Sequence, residues 1–176
     1  MKRNYPLLLA SQFFSALGDN AVLVVILGPI MAKVRAGTVS EHDQSVANIL
    51  YTALLFVPYV LLAPWAGYLS DRYAKTQTLV WGNTLKLAGT AIAAGSLWNG
   101  SWLLGVGYFV VGIGAAIYSP GKYGILPEVV QADRLVKANG TVELLTLMAI
   151  LLGTIVGAQL VDHQPLTICY LAVAGV

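Results

Sequence analysis

The sequence predicts an all-α membrane protein, and three observations indicate this class. Hydrophobic residues make up 57% of the 176 residues and charged residues only 10%, whereas a soluble domain carries roughly 25% charged residues. The mean hydropathy is +0.74. Apolar runs of about 20 residues, the length that crosses a bilayer, recur between short polar connections. The net charge of +2 is too small for a nucleic-acid-binding protein, so we expect no nucleic-acid partner.

Five apolar segments are long enough to span a membrane, and a sixth begins near the end of the sequence. The second segment carries no charge, while the first contains Asp19 and the third contains Lys86. The sixth covers eleven residues, which is too short for a crossing. The predicted spans are residues 5–31, 46–69, 76–98, 102–121, 139–161 and, incompletely, 166–176.

The distribution of basic residues predicts the orientation of these spans. Cytoplasmic loops hold an excess of lysine and arginine, and an internal N-terminus places seven such residues inside and two outside. We therefore predict a multi-pass membrane protein with a cytoplasmic N-terminus. The inner residues are Lys2, Arg3, Arg72, Lys75, Lys122, Arg134 and Lys137, and the outer ones are Lys33 and Arg35.

Polar residues with helical spacing give the first and third spans one polar face each. Because a charge inside a membrane costs at least ~2.5–3.5 kcal/mol, Asp19 and Lys86 predict a shared interior. The two could simply pair and fix helix packing, but buried pairs add little net stability, which favours a functional role. The faces comprise Gln12, Ser15 and Asp19, with Asn20 beside them, and Asn83, Lys86 and Thr90.

A third cation, Lys122, follows Tyr118 at the end of the fourth span. Pro120 and Pro127 predict a broken helix around it. A lysine at this depth suits a phosphate, although a lysine that reaches the lipid headgroups gives the same pattern. Glu143 lies near the cytoplasmic mouth of the fifth span and fits either a gate or a solvated cap.

The sequence contains no convincing catalytic constellation. It has no G-x-S-x-G nucleophile motif and no H-E-x-x-H zinc motif. One cysteine, Cys169, excludes an internal disulfide and a CxxC motif. We therefore predict a protein that is not an enzyme and that uses no cofactor or metal.

The connection between the second and third spans reads GYLSDRYAK over residues 67–75. It resembles the cytoplasmic loop motif of the major facilitator superfamily, G-x-L-a-D-r-x-g-r-k. Ala74 and Thr76 depart from that pattern and weaken the latch that this loop forms in the family. The resemblance implies gating roles for Gly67, Asp71, Arg72 and Lys75.

The same resemblance implies the architecture. The chain would be the N-terminal half of a major facilitator, a 3+3 inverted-repeat helix bundle with five full spans and a truncated sixth. Such a half exposes the surface that packs against the other half of the transporter. We therefore expect a fragment of a longer protein or an obligate partner, which could be a C-terminal half or a second copy.

Within the superfamily, three stretches are most similar to the bacterial lysophospholipid transporters. The resemblance implies a carrier of lysophosphatidylethanolamine and lysophosphatidylglycerol, which an acyltransferase–acyl carrier protein synthetase then re-acylates. The implied substrate-binding residues are Lys86 and Lys122 for the phosphate, Asp19 for the ammonium or a partner lysine, and Asn20, Asn83 and Tyr118 as hydrogen-bond partners. The stretches are QFFSALGDNA at residues 12–21, GNTLKLAG at 82–89 and GIGAAIYSPGKYGIL at 112–126.

Two other functions stay open at this stage. A drug or siderophore exporter of the same superfamily would share the loop motif, but its glycine-proline-rich motif is reduced here to Gly153 and Gly157. A membrane scaffold for a lipid-modifying enzyme would need no transport. Energy coupling and headgroup preference are not fixed by the sequence.

Overall fold

The computed structural model describes residues 5–100 and 102–176, and every regular element in those ranges is helical. The predicted all-α class is therefore confirmed. Lys2 and Arg3, which contribute to the orientation prediction, lie outside the described residues. The helices are α1 (Tyr5–Arg35), α2 (Glu41–Arg72), α3 (Lys75–Ala94), α4 (Ser96–Asn99), α5 (Trp102–Gly124), α6 (Leu126–Val129), α7 (Leu135–His163) and α8 (Leu166–Ala174), with a 3-10 turn at Ala132–Arg134 before α7.

Four segments are long and apolar enough to cross a membrane: α1, α2, α5 and the stretch 132–163 that contains α7. Helix α3 falls outside this group, and its 20 residues include Lys75, Gln77, Asn83 and Lys86. The third predicted span reaches residue 98, but α3 ends at Ala94. The hydrogen bonding changes after this residue: the amide of Gly95 donates to the carbonyls of both Ala91 and Ile92.

The expected helix break at Pro120 is wrong. Helix α5 continues through Pro120 and ends at Gly124. A proline removes one helical hydrogen bond, and neighbouring helices in a membrane protein can offset that loss. Pro127 lies in the first turn of α6, where the missing amide costs nothing because it has no helical partner.

The long helices pack in three extensive pairs: α3 with α5, α1 with α7, and α2 with α5. Helices α1, α2 and α3 correspond to the first three predicted spans, and α5, α7 and α8 to the second three. The pairs α1–α7 and α5–α2 are equivalent in these two three-span units. In each pair, the first helix of one three-span unit packs on the second helix of the other unit. This is the arrangement that two inverted repeats produce.

Glycines permit the close approach of these helices. A Cβ atom on Gly89 would lie 2.6 Å from the carbonyl oxygen of Gly107, and one on Gly82 would lie 2.8 Å from that of Gly114. On α7, a Cβ on Gly157 would lie 2.9 Å from the Cβ of Val24 in α1. The glycine positions of α7 therefore serve helix packing, as small-xxx-small spacing predicts.

Gly107→Ala is expected to destabilise the bundle by about 1–3 kcal/mol, because its new methyl group would meet the backbone of Gly89 and Ala93. The matched control is Gly140→Ala, since nothing among the described residues, apart from the nearby backbone of its own helix, lies within 4 Å of a Cβ there. That control is expected to gain roughly 0.5–1 kcal/mol from helix propensity. Thermal unfolding of both variants in one detergent checks this, and equal melting temperatures would contradict the packing assignment.

Two clusters of buried apolar side chains flank the polar part of α1. One contains Val25 and Ile26 of α1 with Tyr108 of α5. The other contains Tyr5 and Leu8 of α1 together with residues of α5, α6 and α7. Gln12, Ser15 and Asp19 of α1 lie between them in the chain, so the apolar packing on either side fixes their position.

Candidate functional site

The structure brings together the polar faces of α1 and α3. The Nζ of Lys86 lies 2.6 Å from Oδ2 of Asp19 and donates a second hydrogen bond of 2.8 Å to Oγ of Ser15. Ser15 in turn donates to Oδ1 of Asn83 at 2.9 Å. The side chains of Lys86 and Asp19 are 11% and 23% exposed, so this is a largely buried, hydrogen-bonded ion pair.

The surroundings of Lys86 are aromatic on one side and open on the other. Its Nζ lies 4.5 Å from the centre of the Tyr118 ring, within cation–π range. A cavity of about 400 Å³ borders the pair, with Ser11, Ser15 and Asn83 in its wall beside apolar residues of α3 and α8. Tyr118, predicted as a hydrogen-bond partner of the substrate, therefore presents its ring to the lysine.

Lys122 has a different environment. Its Nζ donates a 2.7 Å hydrogen bond to Oγ1 of Thr146 in α7 and lies 5.1 Å from the centre of the Tyr123 ring. Within residues 5–100 and 102–176, no carboxylate oxygen lies within 4 Å of this nitrogen. Lys122 is thus a half-buried cation without direct charge pairing in the described part of the chain.

Glu143 lies one helical turn before Thr146 and is exposed. Its Oε2 accepts a 2.9 Å hydrogen bond from the hydroxyl of Tyr123. The ends of α5 and α7 therefore share a cluster with one cation and one anion that do not form a direct bridge. This cluster, formed by Lys122, Tyr123, Glu143 and Thr146, is called the α5–α7 cluster below.

Gln12 connects α1 to this region. Its side chain is 3% exposed, and Nε2 donates a 3.1 Å hydrogen bond to the backbone carbonyl of Lys122. That carbonyl lies in the last turn of α5, where helical partners run out. Gln12 therefore holds the end of α5 that carries Lys122.

Asn20 does not join the other predicted substrate-binding residues. Its Nδ2 donates to the backbone carbonyl of Ala16 at 2.8 Å, within α1 itself. Its Cβ lies 3.1 Å from where a side chain on Gly153 would begin, so Asn20 faces α7. Asp19, its neighbour, faces α3, because adjacent helical residues point about 100° apart.

The charged side chains of residues 67–75 bind partners within the same segment. Lys75 lies 3.7 Å from Oδ1 of Asp71, which is an ion pair across the α2–α3 connection. Arg72 donates to the hydroxyl of Tyr68 one turn earlier in α2. At Gly67, nothing in the described part of the chain, apart from the nearby backbone of α2 itself, lies within 4 Å of a Cβ built there.

Lys75 also reaches α5. Its Nζ donates to the backbone carbonyl of Ser70, and its Cε would lie 3.3 Å from a Cβ on Gly124 of α5. The aliphatic part of Lys75 therefore packs against the end of α5, two residues after Lys122. Asp71, whose side chain is 89% exposed, keeps most of its carboxylate free for other contacts.

Several site residues were missed by sequence reasoning. Gln12 and Ser15 were recognised as part of a polar face but not as binding residues, and their helical spacing was the available signal. Tyr123 gave no signal apart from its position beside Lys122. The ion pair of Arg35 with Asp162, at 2.6 Å, joins the C-terminal ends of α1 and α7 and has no local sequence pattern.

The site consists of polar and charged side chains within a helix bundle, beside a cavity of about 400 Å³. Among residues 5–100 and 102–176, no three His, Cys, Asp or Glu side chains are grouped to hold a metal ion. The family model described as Major Facilitator Superfamily matches residues 8–176. The chain belongs to the major facilitator superfamily. The predicted fold, the all-α N-terminal half of a major facilitator, is thereby confirmed.

Similarity to individual superfamily members is extensive. The chain is 41% identical over 162 residues to a lysophospholipid transporter of Photorhabdus laumondii, with 92% of this chain and 37% of the relative covered. It is 39% identical over 175 residues to that of Pectobacterium carotovorum, with 98% and 40% covered. Identity to the Escherichia fergusonii transporter is 42% over 170 residues, with 95% and 40% covered. The chain thus spans about two fifths of the length of these curated relatives.

Proposed function

We propose that this chain is the N-terminal half of a carrier that moves lysophospholipids across the bacterial inner membrane. The observation that carries the proposal is the difference between its two interior lysines. Lys86 is neutralised by Asp19 at 2.6 Å, whereas Lys122 has only a hydroxyl and an aromatic ring as near partners in the described structure. A phosphate would supply the negative counter-charge that Lys122 lacks among the described residues.

The α5–α7 cluster matches the headgroup of a lysophosphatidylethanolamine. Lys122 would bind the phosphate, and the exposed carboxylate of Glu143 would accept hydrogen bonds from the ammonium group. For a phosphoglycerol headgroup, Glu143 would accept from hydroxyl groups in place of the ammonium. In this proposal Asp19 binds Lys86 and leaves the headgroup to the cluster, with Asn83 and Tyr118 supporting the buried pair.

An apolar path for the single acyl chain begins beside this cluster. Leu147, Leu151 and Ile155 follow Glu143 along one side of α7 at intervals of four residues and are 54%, 66% and 58% exposed. Such a row provides an apolar surface for an acyl chain next to the polar α5–α7 cluster. A lysophospholipid needs that combination, whereas a hydrophilic siderophore does not.

Superfamily membership supports the remaining parts of the proposal. The cytoplasmic N-terminus and the latch role of Gly67, Asp71, Arg72 and Lys75 belong to the proposal, with the exposed Asp71 facing a C-terminal half or a second copy. A re-acylating acyltransferase–acyl carrier protein synthetase would use the delivered lipid. Names of the relatives support the substrate class, since these proteins are lysophospholipid transporters.

Native mass spectrometry of the detergent-purified chain tests the substrate class. We expect a one-to-one complex with lysophosphatidylethanolamine or lysophosphatidylglycerol that excess tetraphenylphosphonium does not displace, because Lys122 repels a lipophilic cation. Displacement by the cation would favour a drug exporter. Absence of any specific lipid complex would favour a scaffold and contradict the proposal.

A further inference from the structure

Gln12 has one polar atom that the bundle does not satisfy. Its Nε2 is used by the carbonyl of Lys122, but its Oε1 is buried without a hydrogen-bond partner among the described residues. The whole side chain is 3% exposed. A buried carbonyl oxygen without a donor is energetically unfavourable, and such groups in native proteins call for an explanation.

The position of this oxygen relates it to both lysines. Through Nε2 the same amide group holds the residue that we assign to the phosphate. One turn further along α1, Ser15 binds Lys86 and lines the 400 Å³ cavity. Ser11, which precedes Gln12 on α1, lines the same cavity. The unsatisfied acceptor therefore belongs to the residue that holds the proposed phosphate site, on the helix that borders the cavity.

A lysophospholipid carries a donor in the matching place. In a 1-acyl lysophospholipid, the free glycerol hydroxyl is on the carbon next to the one that bears the phosphate ester. In a diacyl phospholipid the same oxygen is esterified and cannot donate. An acceptor beside the phosphate site can thus distinguish the two lipid classes by one hydrogen bond.

We propose that Oε1 of Gln12 accepts a hydrogen bond from the free glycerol hydroxyl and so makes the site selective for lysophospholipids. This inference rests on the proposed function and adds a residue that determines its specificity. The oxygen is enclosed in the present conformation, and the lipid reaches it in another state of the transport cycle, since carriers of this superfamily alternate between conformations.

The test compares two lipids that differ only in this hydroxyl: 1-acyl lysophosphatidylethanolamine and its 2-deoxy analogue with the same acyl chain. Dissociation constants are measured for the purified full chain, for Gln12→Met, and for Gln159→Met as a control on the exposed side of α7. We expect the wild type and Gln159→Met to prefer the hydroxyl lipid roughly tenfold. Gln12→Met is expected to bind both lipids equally.

The outcomes separate this inference from the proposed function. If neither lipid binds the wild type, the proposed function itself fails. If the wild type binds both lipids equally, the function stands and the role of Gln12 is overturned, even where Gln12→Met does not fold. If Gln12→Met weakens both lipids by one factor and keeps the tenfold preference, Gln12 only positions Lys122 and the inference is wrong.

Discussion

Lys122→Ala is expected to weaken lysophosphatidylethanolamine binding roughly 10- to 100-fold, the loss expected for a hydrogen bond between charged groups. Lys122 is half-buried and has no carboxylate within 4 Å in the described structure, so a bound phosphate would be its main charged partner. Lys122→Arg is expected to retain part of the affinity because the charge remains. Titration of each purified variant with lipid measures the effect.

The control for this loss is Lys137→Ala. Lys137 belongs to the first turn of α7 and is exposed, so its removal is expected to change affinity less than twofold. Equal losses in Lys122→Ala and Lys137→Ala would indicate general attraction of an anionic lipid to a basic surface. If Lys122→Ala binds lipids of both headgroup classes as tightly as the wild type, Lys122 does not bind the phosphate.

Asp19→Asn is expected to destabilise the bundle by about 3–5 kcal/mol, because it leaves the ammonium of Lys86 buried without its counter-charge. Lys86 would keep the hydroxyl of Ser15 and the ring of Tyr118, which do not neutralise it. Thermal unfolding in one detergent, with and without the substitution, measures the change. This variant tests stability and leaves the α5–α7 cluster intact.

The double variant Asp19→Asn with Lys86→Met separates pairing from other roles of Asp19. Removing both charges replaces a buried ion pair by neutral groups, and such replacements are often nearly neutral for stability. We expect the double variant to unfold close to the wild-type temperature. If it is as unstable as Asp19→Asn alone, the ion pair is not the reason for the effect.

Helical spacing and hydropathy were sufficient for the elements that a bilayer constrains. The run of apolar residues predicted the long helices, and the spacing of Ser15 and Asp19 predicted a face that meets Lys86. These succeed because a charge inside a membrane has few stable environments, so its partner must lie on a neighbouring span. The GYLSDRYAK motif indicated the superfamily, which composition alone does not identify.

Other features depend on helix rotation and depth, which the sequence does not encode locally. Asn20 adjoins Asp19 in the chain but faces α7, since one residue rotates a helix by about 100°. Pro120 predicted a helix end that the structure places at Gly124. The pairing of Lys122 with Thr146 requires the relative height of α5 and α7, which only the packed bundle sets.

The most direct test of the account maps where a lysophospholipid headgroup binds. A lysophosphatidylethanolamine analogue with a photoreactive diazirine beside its phosphate is crosslinked to the purified chain, and the modified peptides are identified by mass spectrometry. We predict adducts in residues 11–15, 118–124 and 142–147 that excess unlabelled lysophosphatidylethanolamine suppresses. Adducts spread along the exposed apolar face of α2 and insensitive to that competitor would contradict a headgroup site at Lys122.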